Sequence, residues 1–436
     1  MTDRLGWLRA PSDSVRSWRQ WEAFAAAVRG DGMDRILVCG MGGSSLAPRV
    51  LAAGFGAAAL DVLDSTDPAA VRAAGQANPP HRTLFVISSK SGTTVETLAF
   101  YRYFAAQAAP RQFVAVTDPG TPLERLARDH GFRASFAHPA DVGGRYAALT
   151  VVGMLPFALA GLDGPTLLER ALAVDVAQAR MLGARLAAAA AAGRDKLLLA
   201  PPAPAAALAD WIEQLIAEST GKAGRGIVPI VGDGLPAMSP DAELVTDFSA
   251  DPLDLGAEFQ RWMHVTRAAC EALEVDPFDQ PDVEEAKALA RAELERGPSS
   301  AALPGTLTPA ALRRAARPGD YVALLAYLPP RADVRERLER VRRAWAGATG
   351  CVTTLGFGPR YLHSTGQLHK GGPNTGLFLV VTGDTPDDLE IPGMGRTFGT
   401  LERAQAAGDV RALLGRGRRV AHVHVRHLDE VDRLAP

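Results

Sequence analysis

One acidic side chain in this sequence follows two segments of the kind that bind phosphate. Glu218 begins the motif ESTGK at residues 218–222. Upstream lie a glycine-rich segment, residues 40–45, and a segment rich in serine and threonine, residues 88–94. We call them the glycine loop and the hydroxyl loop. A carboxylate that accompanies two anion-binding loops indicates acid/base chemistry on a small phosphorylated molecule, and therefore an enzyme.

Short apolar segments precede both loops and recur along the chain. Residues 35–39, 84–87 and 113–116 are apolar and are separated by helix-like stretches. This alternation predicts an α/β fold with doubly wound parallel sheets that are buried on both faces. Ligands bind such sheets at the carboxyl ends of the strands, where both loops would lie. A second α/β pattern begins at residues 196–199, and we expect a strand at 321–325 to join its sheet.

The two loops supply different groups for an anion. In the glycine loop, Gly42 and Gly43 allow close backbone approach and Ser44 precedes a predicted helix, so free N–H groups would face the ligand. The hydroxyl loop offers five hydroxyls and one cation in seven residues, with Thr94 as the expected helix cap. These side chains are Ser88, Ser89, Lys90, Ser91, Thr93 and Thr94.

Arg145 precedes the uncharged segment 147–162, which we interpret as a buried helix. The segment is shorter than the roughly 20 residues that a membrane span needs. A guanidinium at the start of a helix gains nothing from the helix dipole, so its position there favours a role in binding a negative ligand.

Composition excludes several classes of protein. The chain has 436 residues, of which 47% are hydrophobic, and this length and composition are enough for two or three domains with buried cores. Its 47 basic and 49 acidic side chains give a net charge of −2. No global field favours nucleic acid or a membrane surface. The three cysteines lack disulfide or zinc spacing, and we expect no secretory signal and a cytoplasmic protein. The basic cluster near Arg418 is interpreted as a solvated face, and His422 with His424 as part of a strand.

Five motifs in this sequence resemble those of the glucose-6-phosphate isomerase family, in the order of that family. They extend over most of residues 36–287: VCGMGGS (38–44), SKSGTTxET (89–97), VGGRY (142–146), QxxxESxGK (214–222) and PFDQP (277–281). The resemblance implies two sugar-isomerase (SIS) domains that form a homodimer, with no metal and no cofactor. It also implies the interconversion of glucose 6-phosphate and fructose 6-phosphate through a cis-enediol, a step of glycolysis and gluconeogenesis.

The resemblance also assigns roles to individual residues. Glu218 would move the proton between C1 and C2, and Arg145 would stabilise the enediolate. We expect the remaining matched positions to bind the substrate, namely Gly43, Ser44, Ser89, Lys90, Ser91, Thr93, Thr94, Gly144, Gln214 and Gln280. The predicted domains are residues 1–180 with the phosphate-binding loops, 181–345 with the catalytic glutamate, and a C-terminal segment, 346–436, that packs on the active site.

The last motif, HSTGQLHKGG at residues 363–372, resembles the ring-opening segment of the family but stands in a different place in the chain. In the usual order it precedes the PFDQP motif, whereas here it follows. This inverted order resembles the isomerase half of bacterial transaldolase/phosphoglucose isomerase fusions. By matching position His363 and Lys287 would open the sugar ring, and His369 or Lys370 remain the alternatives.

Two other functions remain open from the sequence. The first is an isomerase for another anionic hexose, such as mannose 6-phosphate or a sulfonated sugar, because a hydroxyl-lined pocket accepts either anion. The second is a non-catalytic SIS protein that binds a sugar phosphate. Such a sensor would need an output module, for example a helix-turn-helix, and none is visible. In each case the expected partner is a small sugar phosphate, without nucleic acid or membrane.

Overall fold

A computed structural model describes residues 4–232, 240–297 and 303–436 of the chain. The predicted α/β class with parallel sheets is confirmed: all strand pairs of the three larger sheets are parallel. Within the described residues, no helix is both long and apolar enough to span a membrane.

The first sheet has the order β2-β1-β3-β4-β5 and contains the strands that precede both loops. β1 and β3 pair directly, so the glycine loop and the hydroxyl loop leave neighbouring strands at the same edge, as the sequence predicts. Its strands are β1 (Arg35–Gly40), β2 (Leu60–Leu63), β3 (Thr83–Ser88), β4 (Phe113–Thr117) and β5 (Ala134–Ala137).

Helices cover both faces of this sheet, as expected because its inner strands β1, β3 and β4 are mostly apolar and buried. The first eight helices of the chain are α1 (Ala10–Gly30), α2 (Gly43–Gly54), α3 (Pro68–Ala77), α4 (Val95–Ala105), α5 (Pro122–Asp129), α6 (Val151–Leu159), α7 (Gly164–Leu172) and α8 (Val176–Ala191). The following ones are α9 (Leu208–Thr220), α10 (Leu255–Leu273), α11 (Pro281–Arg296), α12 (Pro309–Arg314), α13 (Ala332–Thr349), α14 (Gly366–Gly371) and α15 (Phe398–Gly415).

Two further parallel sheets follow, with the orders β7-β6-β8 and β10-β9-β11-β14, together with a small antiparallel pair. Their strands are β6 (Lys196–Leu199), β7 (Val228–Val231), β8 (Ala242–Val245), β9 (Tyr321–Tyr327), β10 (Val352–Phe357), β11 (Gly376–Gly383), β12 (Glu390–Ile391), β13 (Arg396–Thr397) and β14 (Arg419–Val425). The expectation that the strand at 321–325 joins the sheet of β6 is wrong. β9 pairs with β10 and β11, so its sheet crosses the predicted boundary at residue 345.

The apolar core links the first sheet to helix α9. Leu46 and Val50 of α2 belong to the same cluster of buried side chains as Trp211 and Ile212 of α9. Side chains in such cores are closely packed and transmit position between elements. The helix that carries Glu218 is therefore held rigidly against the helix that begins in the glycine loop.

Two local predictions differ in detail from the structure. The buried helix expected over 147–162 begins only at Val151, and Arg145 lies in a preceding 3-10 turn, Gly144–Tyr146, instead of at the helix start. Thr94 stands at the start of α4, but its side chain makes no capping bond to the helix. Its hydroxyl pairs with Ser89 instead, 2.9 Å away, so it belongs to the loop.

Candidate active site

The glycine loop packs against two other parts of the candidate site. Gly42 has φ +56°, and a Cβ at this position would lie 2.7 Å from the carbonyl oxygen of His363 and 2.9 Å from Nε2 of Gln214. A Cβ on Gly43 would lie 2.1 Å from the carbonyl oxygen of Gly144. Neither position can carry a side chain without displacing backbone, so glycine here permits the loop, the Arg145 turn and the His363 turn to meet.

This packing makes Gly43→Ala a direct test of the loop contact. We expect the free energy of unfolding to fall by about 1–3 kcal/mol, because the added methyl group overpacks the contact. We also expect kcat/KM to fall by about tenfold, since misplacing catalytic groups is costly. Gly347→Ala is the matched control, because a Cβ there meets nothing within 4 Å. Denaturant unfolding and steady-state kinetics measure both effects, and wild-type values for Gly43→Ala would contradict the expectation.

Hydroxyl pairs brace the hydroxyl loop. Besides the contact between Ser89 and Thr94, the hydroxyls of Ser91 and Thr93 lie 2.9 Å apart, and the N–H of Gly92 donates to Oγ of Ser89 at 3.2 Å. The loop thus presents hydroxyls and backbone N–H groups at the start of α4, where the positive end of a helix dipole favours an anion.

Lys90 is the cation of this loop and is already paired. Its Nζ contacts Asp118, which also binds Nδ1 of His138 at 2.8 Å. Burial raises the pKa of Asp118, but the hydrogen bonds from His138 and Lys90 outweigh it and hold that pKa below its usual value. Lys90, Ser44 and Gly144 line one small cavity, so the structure brings the hydroxyl loop, the glycine loop and the Arg145 turn together.

Glu218 is buried in the last turn of α9 and is held through one oxygen. Nε of Arg145 lies 3.2 Å from Oε2 of Glu218, and Nε2 of Gln214 donates to the same oxygen at 3.1 Å. The Glu218 and Arg145 side chains are only 8% and 6% exposed. Among the described residues no hydrogen bond to Oε1 is formed, so this second oxygen is available to accept a proton.

Arg145 is held in turn by the segment that leads into α11. One of its terminal nitrogens donates to the carbonyl oxygen of Pro277 at 3.1 Å and the other to Oε1 of Gln280 at 3.2 Å. A guanidinium with several fixed acceptors keeps one orientation. The structure therefore brings together four residues that the sequence predicted for the site, namely Glu218, Arg145, Gln214 and Gln280.

His363 reaches the same region from the C-terminal part of the chain. Its carbonyl oxygen accepts from Nε2 of Gln214 at 2.9 Å, and its ring Nε2 lies 2.8 Å from Oε1 of Glu96. Arg360 is the first residue of this turn, and it forms an ion pair with the buried Asp64 at 2.8 Å. The His363 side chain is 20% exposed, so the ring is accessible at the site.

The alternative residues His369 and Lys370 point into the core of the last sheet. Nδ1 of His369 lies 3.0 Å from the hydroxyl of Tyr321, and burial, together with the charge of Lys370, moves its pKa well below the usual value. Lys370 forms an ion pair with Asp409 in which both side chains are almost fully buried. Both residues therefore contact the protein interior, which favours His363 for ring opening.

Lys287 is the remaining residue predicted for ring opening. It lies on α11, seven residues beyond Gln280, and its side chain is exposed. That spacing places it on the same helix face two turns further along, a separation of about 10 Å. Its predicted role in ring opening stays a prediction.

Glu96 and Gln405 were not predicted as functional residues. Glu96 lies in the first turn of α4, where an acid is ordinarily explained by the helix dipole. Gln405 lies on α15, 309 residues from the side chain that it contacts. The only signal for Glu96 was its place inside the SKSGTTxET motif, and the sequence held none for Gln405.

The parallel sheets, with the glycine loop and the hydroxyl loop at the carboxyl edge of the first sheet, define an SIS-type α/β fold. Residues 9–178 match the phosphoglucose isomerase family model. The glucose-6-phosphate isomerase of Thermus thermophilus is 35% identical over 179 residues, which are 38% of this chain and 41% of that protein. The enzyme of Symbiobacterium thermophilum is 32% identical over 258 residues, 51% of this chain and 57% of its own length.

The similarity to the phosphoglucose isomerase family covers part of the chain: the family model matches residues 9–178, and the two relatives align with 38% and 51% of the chain. The chain spans about half the length of the relatives that it matches. Among solved structures, a glucose-6-phosphate isomerase from Chlamydia trachomatis is similar, with a TM-score of 0.55 at 18% identity over 64% of this chain and 73% of that one. At this identity the likeness shows the fold alone.

Proposed function

We propose that this chain catalyses the reversible isomerisation of glucose 6-phosphate and fructose 6-phosphate. The observation that carries the proposal is the buried Glu218, which is paired with Arg145 through one oxygen while its other oxygen is unbonded within the described residues. A carboxylate oriented in this way acts as a base beside a fixed cation, which is the arrangement that an enediolate requires.

In the proposed reaction, Oε1 of Glu218 removes the proton from C2 of the open aldose. The electron pair of the C–H bond forms the C1–C2 double bond, and O1 takes the negative charge beside Arg145. A proton then moves from O2 to O1, and Glu218 returns its proton to C1 to give the ketose. His363 exchanges a proton with the ring oxygen before this sequence, because only the open chain carries the carbonyl group.

The phosphate is held away from the reacting carbons by the hydroxyl loop. Binding energy from this remote group positions C2 over the carboxylate. The assignment rests on the braced hydroxyls of Ser89, Ser91, Thr93 and Thr94, on the glycine loop beside them, and on the sugar-phosphate chemistry of the family.

Lys90→Met tests this phosphate assignment. We expect KM for glucose 6-phosphate to rise by about tenfold with kcat nearly unchanged, because a charge-assisted contact to a non-reacting group is lost. Lys90→Arg is the matched control and keeps the charge. Inhibition by inorganic phosphate should weaken in parallel in Lys90→Met. An unchanged KM in this variant would contradict a role for Lys90 in phosphate binding.

The central experiment is a coupled assay of the purified chain on glucose 6-phosphate, with mannose 6-phosphate and a sulfonated hexose as parallel substrates. We expect the fastest turnover on glucose 6-phosphate. Turnover of only mannose 6-phosphate or only the sulfonated hexose would mean that this sugar is the substrate instead. Tight binding with no turnover of any of the three would favour a sensor. The buried ion pair of Glu218 and Arg145 favours catalysis over sensing, because a carboxylate beside a fixed cation is the arrangement that acid/base chemistry on a carbonyl compound requires.

We further propose that the chain works as a cytoplasmic homodimer. All three cysteines are buried and unpaired, which fits a reducing compartment. Apolar side chains of Leu172, Val176 and Met181 are exposed around the α7–α8 turn, a feature typical of surfaces that meet a partner. Light scattering on the purified chain tests the dimer, and fractionation of the native cell tests the compartment.

A further inference from the structure

Helix α15 contributes one buried amide side chain, that of Gln405, to the candidate site. Gln405 is 5% exposed, and its Nε2 donates to Oε1 of Glu96 at 2.7 Å. The same oxygen of Glu96 is the one that contacts Nε2 of His363 at 2.8 Å. A carboxylate oxygen that meets both groups is their common acceptor, so His363 donates through Nε2 and keeps Nδ1 for the substrate.

The orientation of the Gln405 amide is determined by a third side chain. Oε1 of Gln405 accepts from the hydroxyl of Thr66 at 3.4 Å, and Thr66 is fully buried. A flipped amide would place two oxygens against each other at Glu96 and lose the contact to Thr66.

We propose that Gln405 is a positioning residue for His363 in ring opening, acting through Glu96. This inference rests on the function proposed above and deepens it. The amide adds to the groups that keep Glu96 ionised and fixes the oxygen to which His363 donates, and thereby selects the ring nitrogen that exchanges a proton with the sugar. Nothing in the family motifs points to this position, since it lies on a helix outside all of them.

The surroundings of Glu96 explain why a donor is needed there. His363 is the charged group that acts on Glu96, and Tyr327 of β9 is affected by the charges of Asp409, Glu402 and Glu96 together. Lys370 is paired with Asp409, and the basic side chain in contact with Glu96 is His363, at 2.8 Å. Burial raises the pKa of Glu96. The charge and the hydrogen bond of His363, then a backbone hydrogen bond and the hydrogen bond from Gln405, outweigh burial and lower that pKa overall.

Removing the Gln405 amide should therefore change the pKa of Glu96 in a defined direction. In Gln405→Met the pKa of Glu96 rises, the carboxyl group takes a proton at a higher pH, and the acidic limb of the kcat–pH profile moves up by about one pH unit or more. At neutral pH we expect kcat to fall by about tenfold, the scale of one charge-assisted hydrogen bond, with KM little changed.

The experiment compares the wild-type chain with Gln405→Met and with Gln260→Met. Gln260 is a matched control, because it is 6% exposed on α10 and contacts His264 instead of Glu96. Thr66→Val is a second variant that keeps the core volume, and it should move the profile in the same direction by less. An acidic limb that stays in place in Gln405→Met, or that moves equally in Gln260→Met, would overturn the proposal.

A second measurement separates this inference from the proposed function. NMR titration of the His363 imidazole, assigned by the signal lost in His363→Gln, follows the coupled Glu96–His363 pair without any turnover. The lower step of that titration should move up in pH in Gln405→Met and stay in place in Gln260→Met. If the wild-type chain lacks isomerase activity, the function fails while this titration still decides whether Gln405 controls the pair.

Discussion

Glu218→Gln is expected to lower kcat by about 10⁴-fold, the upper range for loss of a general base. The amide keeps the size of the side chain and its hydrogen-bonding capacity toward Arg145 and Gln214, but it cannot take the C2 proton. Binding of the sugar phosphate, measured by calorimetry, should remain close to that of the wild-type chain, since the phosphate is held elsewhere. Progress curves with high enzyme concentration measure the residual rate.

Helix α9 offers an unusually close control for this prediction. Glu213 lies five residues earlier on the same helix, and burial, followed by the charge of Asp210, raises its pKa to about 8. It is therefore largely neutral at pH 7, and Glu213→Gln changes little charge there. We expect near wild-type turnover at this pH. Equal losses in the two variants would mean that α9, rather than the Glu218 carboxylate, was disturbed.

His363→Gln is expected to lower kcat by about 10²-fold, the lower range for removal of an acid/base group. The glutamine Nε2 can still donate to Glu96, as Nε2 of the imidazole does, but no second ring nitrogen remains to exchange a proton with the sugar ring oxygen. Rates on freshly dissolved single anomers of glucose 6-phosphate report on this step, since each cyclic anomer must open before C2 can lose its proton.

The matched comparison is His369→Asn, which preserves a group near the position of Nδ1 and its contact with Tyr321. Because His369 of α14 is buried against the sheet of β9 and β11, we expect a loss of about 0.5–3 kcal/mol in unfolding free energy and little change in kcat. The reverse pattern, with turnover lost in His369→Asn and kept in His363→Gln, would assign ring opening to the alternative histidine.

Much of the fold and part of the candidate site followed from local patterns. Apolar segments that end in polar turns predicted the strands β1, β3 and β4 and the edge at which both loops lie. The spacing of Gln214 and Glu218 by four residues placed both on one face of a helix, where they form a hydrogen bond. Such features depend on residues close together in the sequence, so a local pattern is enough to predict them.

Other predictions failed where the outcome depends on distant partners. The strand at β9 was assigned to the sheet of β6, but apolar strands carry no mark of which neighbour they will pair with. Arg145 was expected at the start of a helix, whereas its guanidinium is held by Pro277 and Gln280, more than 130 residues away. A buried cation is positioned by its acceptors, and a local pattern does not reveal them.

The amino-acid sequence by itself determined the α/β class and the two loops at the sheet edge, and it placed Gln214 and Glu218 on one helix face, because these features follow from periodicity and from motifs that act over short distances. Only the tertiary structure decided which histidine meets the site and what holds it. Glu96 and His363 are 267 residues apart in the chain, and Gln405 joins them from a third element. Packing of complete helices and sheets creates those contacts, since a buried polar group takes whichever partner the surrounding core brings within reach.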